Sequence, residues 1–405
     1  MKSGLALPRI LYVTPFWPHR VGIGSEVRSR QVLRALQALG KVDVAVLDDG
    51  EDTSEPCEKK LAAAREFGVT QVLDVKPQPS KGIAAKLGWF VNPRSDYPHG
   101  CGVDGETAAR FMREAAGYDL VWFFKLRAAN MFPDAAWANS VVDIDDVLSE
   151  VESTTARSAT NFKKRLLARA RSFSWRRREK LLGSRFKALT VCSDADKNYL
   201  TSLGVGASVH VVPNGFDCPA EPPQRKPVTP PCLGFIGYFD YFPNRDGVEW
   251  FVENCWPLVK RELPDAHLRL VGRGTDGPLK PGGADVDGLG WLANPSDEIA
   301  SWSGMIVPIR LGGGTRVKIA QAFGLKCPVV STSLGAFGYE VRDGQELFLA
   351  DEPAAFAAAC VKTVREPAAS TAMAERAWQK LLANWTWEAI QPRVHAAAKS
   401  AMASA

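Results

Sequence analysis

The chain has 405 residues, 46% hydrophobic and 23% charged, with a net charge of +5. This is the balance of an ordinary globular protein, and the length exceeds what one core usually serves, so two α/β domains are expected. The eight cysteines form no CxxC pair and no Cys/His cluster, which argues against structural zinc or a disulfide framework and fits a reducing cytosol. No apolar run approaches the roughly 18 residues of a membrane span, and the N-terminus carries no basic-then-apolar export signal, so a cytoplasmic protein is expected.

Ile10 to Val13 reads as a strand, Thr14 to Ser25 as a loop with two prolines and two glycines, and Glu26 to Leu39 as a helix with apolar Val27, Val32, Leu33, Leu36 and Leu39. A strand, a glycine-bearing loop and a helix open a Rossmann-like domain. Gly22 and Gly24 either admit a ligand's phosphate or hydroxyl near the backbone or are turn residues. Arg28 and Arg30 are expected on a solvated face, with Arg28 in reach of a bound anion. Further strands are expected at Val42 to Leu47, Gln71 to Val75, Leu120 to Phe124 and Val141 to Ile144, apolar runs that suit a parallel sheet covered on both faces. Asp143, Asp145 and Asp146 end the last of them, where α/β sheets bind ligands. They either bind a metal or a sugar hydroxyl, or serve as helix caps and interdomain acceptors; the second is favoured.

From Arg157 to Lys187 there are twelve Lys and Arg against one acidic residue, Glu179. Phe162, Leu166, Ala170 and Phe173 form an apolar stripe at helical spacing through that run. Such a helix lies on an anionic membrane surface, or packs with a solvated basic back. No recognised nucleic-acid motif accompanies the charge, so nucleic acid is not an expected partner. Phe186 to Val191 and Val209 to Val212 complete the sheet. Pro213-Asn214-Gly215-Phe216-Asp217 makes a sharp turn, and six prolines between Pro219 and Pro231 make a stiff linker.

A second alternation begins at Leu233 to Gly237 and leads through Pro243-Asn244-Arg245-Asp246-Gly247 into a helix with Val248, Trp250, Phe251 and Trp256. His267 to Val271 ends in Gly272-Arg273-Gly274. Met305 to Ile309 leads to Gly312-Gly313-Gly314-Thr315-Arg316-Val317-Lys318, with a helix expected over Thr315 to Leu325 and a strand at Val329-Val330. Glycines let a phosphate approach the backbone, and the first turn of a helix offers unpaired N–H groups and a positive dipole end. Thr315, Lys318 and Gln321 fall at helical spacing, and Arg316 adds a guanidinium fork. The stretch reads either as a diphosphate site with Gln321 at ribose distance or as a tight glycine-rich turn with Arg316 and Lys318 solvated. It is not a Walker loop or a G-x-G-x-x-G fingerprint.

Together the Ile10 to Val13 strand with its glycine loop, Pro213 to Asp217, the Gly237 to Gly247 loop, Gly312 to Lys318 with Ala322 and Pro328 to Thr332, Gly335 to Gly338, and Trp385 to Glu388 resemble a GT-B glycosyltransferase of glycosyltransferase family 4, the group 1 glycosyl transferases. The likeness is nearest to the GGGTRxK subgroup of exopolysaccharide and cell-surface glycan assembly. It implies an α/β fold of two Rossmann-like domains with parallel sheets facing across a cleft. Residues 1–217 are the acceptor side, 218–385 hold the nucleotide sugar, and a last helix, 386–405, crosses back onto the first domain. The implied reaction is retaining transfer of a hexose from a nucleotide-diphosphate sugar to a lipid-linked or growing polysaccharide acceptor, with neither cofactor nor metal, at the inner face of the cytoplasmic membrane. Arg316 and Lys318, with the amides of Gly313 to Thr315, are assigned to the departing diphosphate. Gly312, Gln321, Gly237, Asn214 and, more weakly, Arg245 join them on the donor side. Gly22, Gly24 and His19 are assigned to the acceptor side. Two glutamates common in that family are replaced here by Gly313 and Gln321, and its histidine after the fourth strand has no match, Lys125 and Arg127 occupying the region. A nucleotide-sugar 2-epimerase of the same architecture, and a non-catalytic partner of a glycan synthase that binds nucleotide sugar, are the alternatives.

Overall fold

The computed structural model describes residues 7–20, 24–48, 55–77, 83–93, 101–132, 135–159, 161–219, 221–312 and 314–402. Gly22 and Gly313, two of the expected site residues, lie outside them. By its contacts the chain divides into two compact units, Met1–Pro213 with Ile390–Ala405, and Asn214–Ala389.

The first unit is built on β1 (Arg9–Thr14), β2 (Lys41–Asp48), β3 (Val69–Asp74), β6 (Leu120–Phe124), β7 (Trp137–Asp145), β8 (Phe186–Val191) and β9 (Ser208–Val211), with a separate two-residue antiparallel pair, β4 (Lys76–Pro77) and β5 (Cys101–Gly102). The order is β3-β2-β1-β6-β7-β8-β9 and every ladder is parallel. Strands buried on both faces must be apolar at nearly every position, which is why they were visible as continuous runs. All five residues of β6 are buried. Between β1 and β6 the winding reverses direction, so the carboxyl ends of these strands form a topological switch point.

An aromatic cluster fills one side of this sheet. Phe111 stacks on Phe132 at 4.9 Å, and Phe123 lies 4.9 Å from Trp137. The last helix, Trp387–Met402, sends its residues from Ile390 into this unit, where Ile390, Val394, Ala397, Ala398 and Ala401 are buried. His395 Nε2 is 2.7 Å from the Ala35 carbonyl, and Ser400 Oγ is 2.8 Å from His210 Nε2.

The second unit carries β10 (Cys232–Ile236), β11 (His267–Val271), β12 (Val286–Gly290), β13 (Gly304–Val307), β14 (Val329–Ser331) and β15 (Phe348–Leu349), all parallel in the order β12-β11-β10-β13-β14-β15. Its switch point lies between β10 and β13. Gly234 in β10 is required by packing: a Cβ there would stand 1.9 Å from the Trp302 ring. The helix expected around Val248 and Trp256 is real but interrupted. It runs Phe242–Trp250, widens into a π-turn over Phe251–Cys255 and resumes at Trp256–Glu262. Pro257 explains the break, because it has no N–H to continue the i→i−4 ladder. Trp385 and Trp387 are buried packing residues, with Trp385 4.9 Å from Tyr339.

Candidate functional site

The loops after β10 and β13 are neighbours because the two strands pair. After β10, Gly237 donates its N–H to the Val271 carbonyl at 2.8 Å, and the chain turns through Tyr238 to Tyr241 into the helix Phe242–Trp250. After β13, Gly312 and Gly314 have φ of 92° and 72°. That left-handed backbone is where a Cβ is costly, so these glycines are conformational requirements. Arg310 ties the loop after β13 to the helix Phe242–Trp250, its Nη2 donating to both carboxylate oxygens of Asp246 at 3.0 and 3.1 Å.

The helix after the glycine loop starts later than expected, at Val317, and spans Val317–Gly324 with Arg316 as its N-cap at φ −90° and ψ 99°. Thr315 therefore precedes the helix. Its hydroxyl oxygen accepts a 2.9 Å hydrogen bond from Asn214 Nδ2, which brings two expected donor-side residues together.

Arg316 is nearly buried and donates from Nη1 to the Gly314 carbonyl at 3.2 Å and from Nη2 to the Leu311 carbonyl at 3.1 Å. It closes the loop on itself, while Tyr339 Oη donates to the Arg316 carbonyl at 3.0 Å. Lys318 as a whole is half-buried, but its ammonium lies inside, 3.9 Å from the centre of the Phe235 ring and 2.8 Å from Asn244 Oδ1. Burial, with the Arg316 charge adding to it, pulls its pKa well below the ordinary lysine range. Among the described residues no carboxylate pairs with this ammonium.

Gln321 sits half-buried one turn further along. Arg245, beside Asn244 in the helix Phe242–Trp250, lies 3.8 Å from Glu249 and 5.5 Å from the Phe242 ring, and none of its described contacts is to the glycine loop. Asn244 is the residue that the reading of the sequence missed as a site member. Its signal was the Pro-Asn-x-Asp-Gly pattern, which was noted without a role.

In the first unit Gly24 is exposed at the start of the helix Gly24–Gln37, and His19 is half-buried 6.1 Å from the Trp17 ring. Arg28 corrects an expectation. Instead of a solvated charge it is 1% exposed, bonded to Asp143 from Nε at 3.1 Å and Nη2 at 2.9 Å and to the Pro213 carbonyl from Nη1. Helical spacing places Arg28 on the same face as Val32 and Leu36, so its charge enters the core and needs a buried partner. Asp143 is thus an ion-pair member rather than a cap.

Asp145 binds Lys125 Nζ at 2.8 Å, and both residues hold positive φ, 61° and 67°. Burial alone would raise the Asp145 carboxyl, but Lys125 and Arg28 outweigh it and hold it well below the usual carboxylate range. Strain of this kind at the carboxyl edge of a sheet persists only where neighbours over-determine it. Among the described residues no group of three His, Cys, Asp or Glu is arranged to hold a metal ion.

The basic segment forms the helix Phe162–Lys180, begun by Asn161, whose Oδ1 accepts from the Lys163 and Lys164 N–H groups. Its buried face is Ala168, Ser174, Trp175 and Glu179, not the stripe seen in the sequence. Phe162, Leu166, Leu167 and Phe173 are exposed, as are Leu87 and Val91 on the adjoining helix Ile83–Val91, all between 45% and 72%. Arg177 and Arg178 tie the two helices by donating to the Val91 and Trp89 carbonyls at 2.9 and 2.7 Å. No described helix is long and apolar enough to cross a membrane.

Residues 230–366 match the family described as glycosyl transferases group 1. An uncharacterized 44.6 kDa protein of the cps region of Klebsiella pneumoniae is 31% identical over 133 residues, a match spanning 30% of this chain and about a third (34%) of that protein. Among solved structures, a sucrose-phosphate synthase from Thermosynechococcus elongatus aligns with a TM-score of 0.66 at 15% identity over 96% of this chain and 98% of its own. HepE of Anabaena in complex with UDP-glucose gives 0.61 at 14% over the same shares, 96% and 98%. A glycosyltransferase from Rickettsia africae gives 0.62 at 13%, covering 98% and 99%. At these identities the likeness is one of fold, and the fold is GT-B.

Proposed function

We propose, from the premise that residues 230–366 match the group 1 glycosyl transferases, that this chain moves a hexose from a nucleotide-diphosphate sugar to a lipid-linked or growing polysaccharide acceptor, with retention and without a metal ion. The observation that carries this reading is the Lys318 ammonium, buried without a carboxylate at the carboxyl edge of the second sheet. A cation so placed gains most from an anionic ligand. As the glycosidic bond to the diphosphate breaks, negative charge grows on the departing oxygen. Preorganised donors around it lower the barrier: Lys318, the amides of Gly314 and Thr315, and the first turn of the helix Val317–Gly324.

Arg316 contributes by closing the loop and by its field, and Asn214 by holding Thr315. Gln321, in place of a carboxylate, offers the ribose a neutral hydrogen bond. Gly22, Gly24 and His19 are assigned to the acceptor side. UDP-glucose bound to the HepE neighbour supports a sugar nucleotide as donor, and the cps-region relative supports a role in surface glycan assembly. The exposed apolar side chains among the cations of Phe162–Lys180 favour a peripheral position on the inner face of the cytoplasmic membrane.

Turnover of a panel of nucleotide sugars in a coupled assay tests the reading. Arg316→Ala and Lys318→Met are each expected to lose most of the activity, and unchanged turnover in Lys318→Met removes the diphosphate assignment. Donor consumption that needs no acceptor would instead support the epimerase.

A further inference from the structure

Lys318 is unusual less for being buried than for what faces it. Asn244 is 8% exposed and fixed on both sides: its backbone N–H goes to the Tyr241 carbonyl at 3.0 Å, and its side-chain Nδ2 goes to the Tyr238 carbonyl at 2.9 Å. With Nδ2 spoken for, only Oδ1 can turn to the lysine, and it does so at 2.8 Å. The carboxylate two residues on, Asp246, is held by Arg310 and is unavailable to Lys318. Gly237 completes the arrangement by leaving room beside the amine, since a Cβ there would stand 2.9 Å from Nζ.

Resting on the donor-site reading above, we infer that Asn244 is a positioning residue for diphosphate binding: its clamped amide holds the Lys318 ammonium in place with a neutral acceptor, so that the charge stays unspent until the diphosphate arrives. An ammonium has three donors, and a neutral amide occupies one without cancelling the charge. A carboxylate at the same place would form an internal ion pair, satisfy the lysine, and compete with the incoming anion. Asn and Asp have nearly the same shape, so the packing is kept, but the substitution adds a charge facing Lys318 and exchanges the Nδ2 donor to the Tyr238 carbonyl for an oxygen, gaining an ion pair and losing a hydrogen bond.

A merely structural Asn244 predicts that stability and binding fall together; the positioning role predicts that they part. The test is Asn244→Asp in the full chain. Calorimetric titration with inorganic pyrophosphate, UDP and GDP is set beside thermal unfolding. The expected result is an affinity at least tenfold weaker with an unfolding temperature close to wild type, the ion pair to Lys318 offsetting the hydrogen bond lost at Tyr238. An affinity within twofold of wild type overturns the inference and leaves the donor site standing. Lost affinity with a lowered unfolding temperature also overturns it. Lys318→Met supplies the second arm: in that background Asn244→Asp is expected to change affinity no further, and an additive loss counts against the proposal. A wild-type chain that binds none of the three probes sinks the donor-site reading and this inference with it.

Discussion

Replacing Gly237 with alanine adds one methyl group beside the two side chains that define the proposed donor site. Built on the existing backbone, that Cβ stands 2.8 Å from Asn244 Nδ2 and 2.9 Å from Lys318 Nζ. Comfortable separation for such atoms is about 3.5 Å, so roughly 0.6 Å must be found. Lys318 is the far end of a flexible chain and can move away, whereas the nearer contact is with Asn244, whose hydrogen bond to the Tyr238 carbonyl must be disturbed to make room. The backbone adds no strain, since Gly237 is not among the positive-φ glycines, so the cost to the fold is that of disturbing the Asn244 hydrogen bond, about 1–2 kcal/mol. Binding should notice more. An ammonium displaced by half an ångström from a charge-assisted contact is expected to lose about tenfold in diphosphate affinity, about 1.4 kcal/mol. The assay is calorimetric titration with UDP and GDP beside thermal unfolding. Gly234→Ala, whose Cβ would enter the Trp302 ring, serves as the control that strikes the core. Undiminished affinity in Gly237→Ala, or a fall in unfolding temperature as large as that of Gly234→Ala, would refute the reasoning.

Two further expectations concern the first unit. Glu179 is 1% exposed and its carboxyl is pushed up to about 7 by burial, against which hydrogen bonds from Ser149 N at 2.9 Å and Ser149 Oγ at 2.5 Å act only in part. A carboxyl raised above its unfolded value of 4.5 contributes stability that is present below that value and is lost as pH climbs through 7, at most about 3 kcal/mol. Glu179→Gln should therefore flatten unfolding temperature against pH between 4.5 and 7.5, and an unaltered slope there would rule this out. For the exposed stripe, burying Phe162 and Phe173 in a bilayer is worth about 1.5–3 kcal/mol each. Sedimentation of Phe162→Glu/Phe173→Glu with vesicles rich in anionic lipid should then fall at least ~10-fold, and co-sedimentation equal to wild type would remove the membrane position.

Much of the architecture was readable from residue order alone. Strands such as Ile10 to Val13 and Leu120 to Phe124 are apolar at successive positions because both faces are covered, and Pro8 and Pro15 bracket the first of them. The glycine run before Arg316 announced a backbone turn whatever its surroundings, since positive φ is a local property of Gly312 and Gly314. Tertiary structure alone decided which charges meet. Arg28 looked like a surface residue until Asp143, 115 positions away, met it in the core, and Asn244 had no visible role until Lys318, 74 positions on, reached its amide. It also decided which stripe of Phe162–Lys180 is covered, because the helix turns Ala168 and Trp175 inward and leaves Phe162, Leu166 and Phe173 out. Periodicity and turn chemistry act between neighbours in the chain, whereas the pairing of a buried charge depends on what the rest of the fold delivers to the same point.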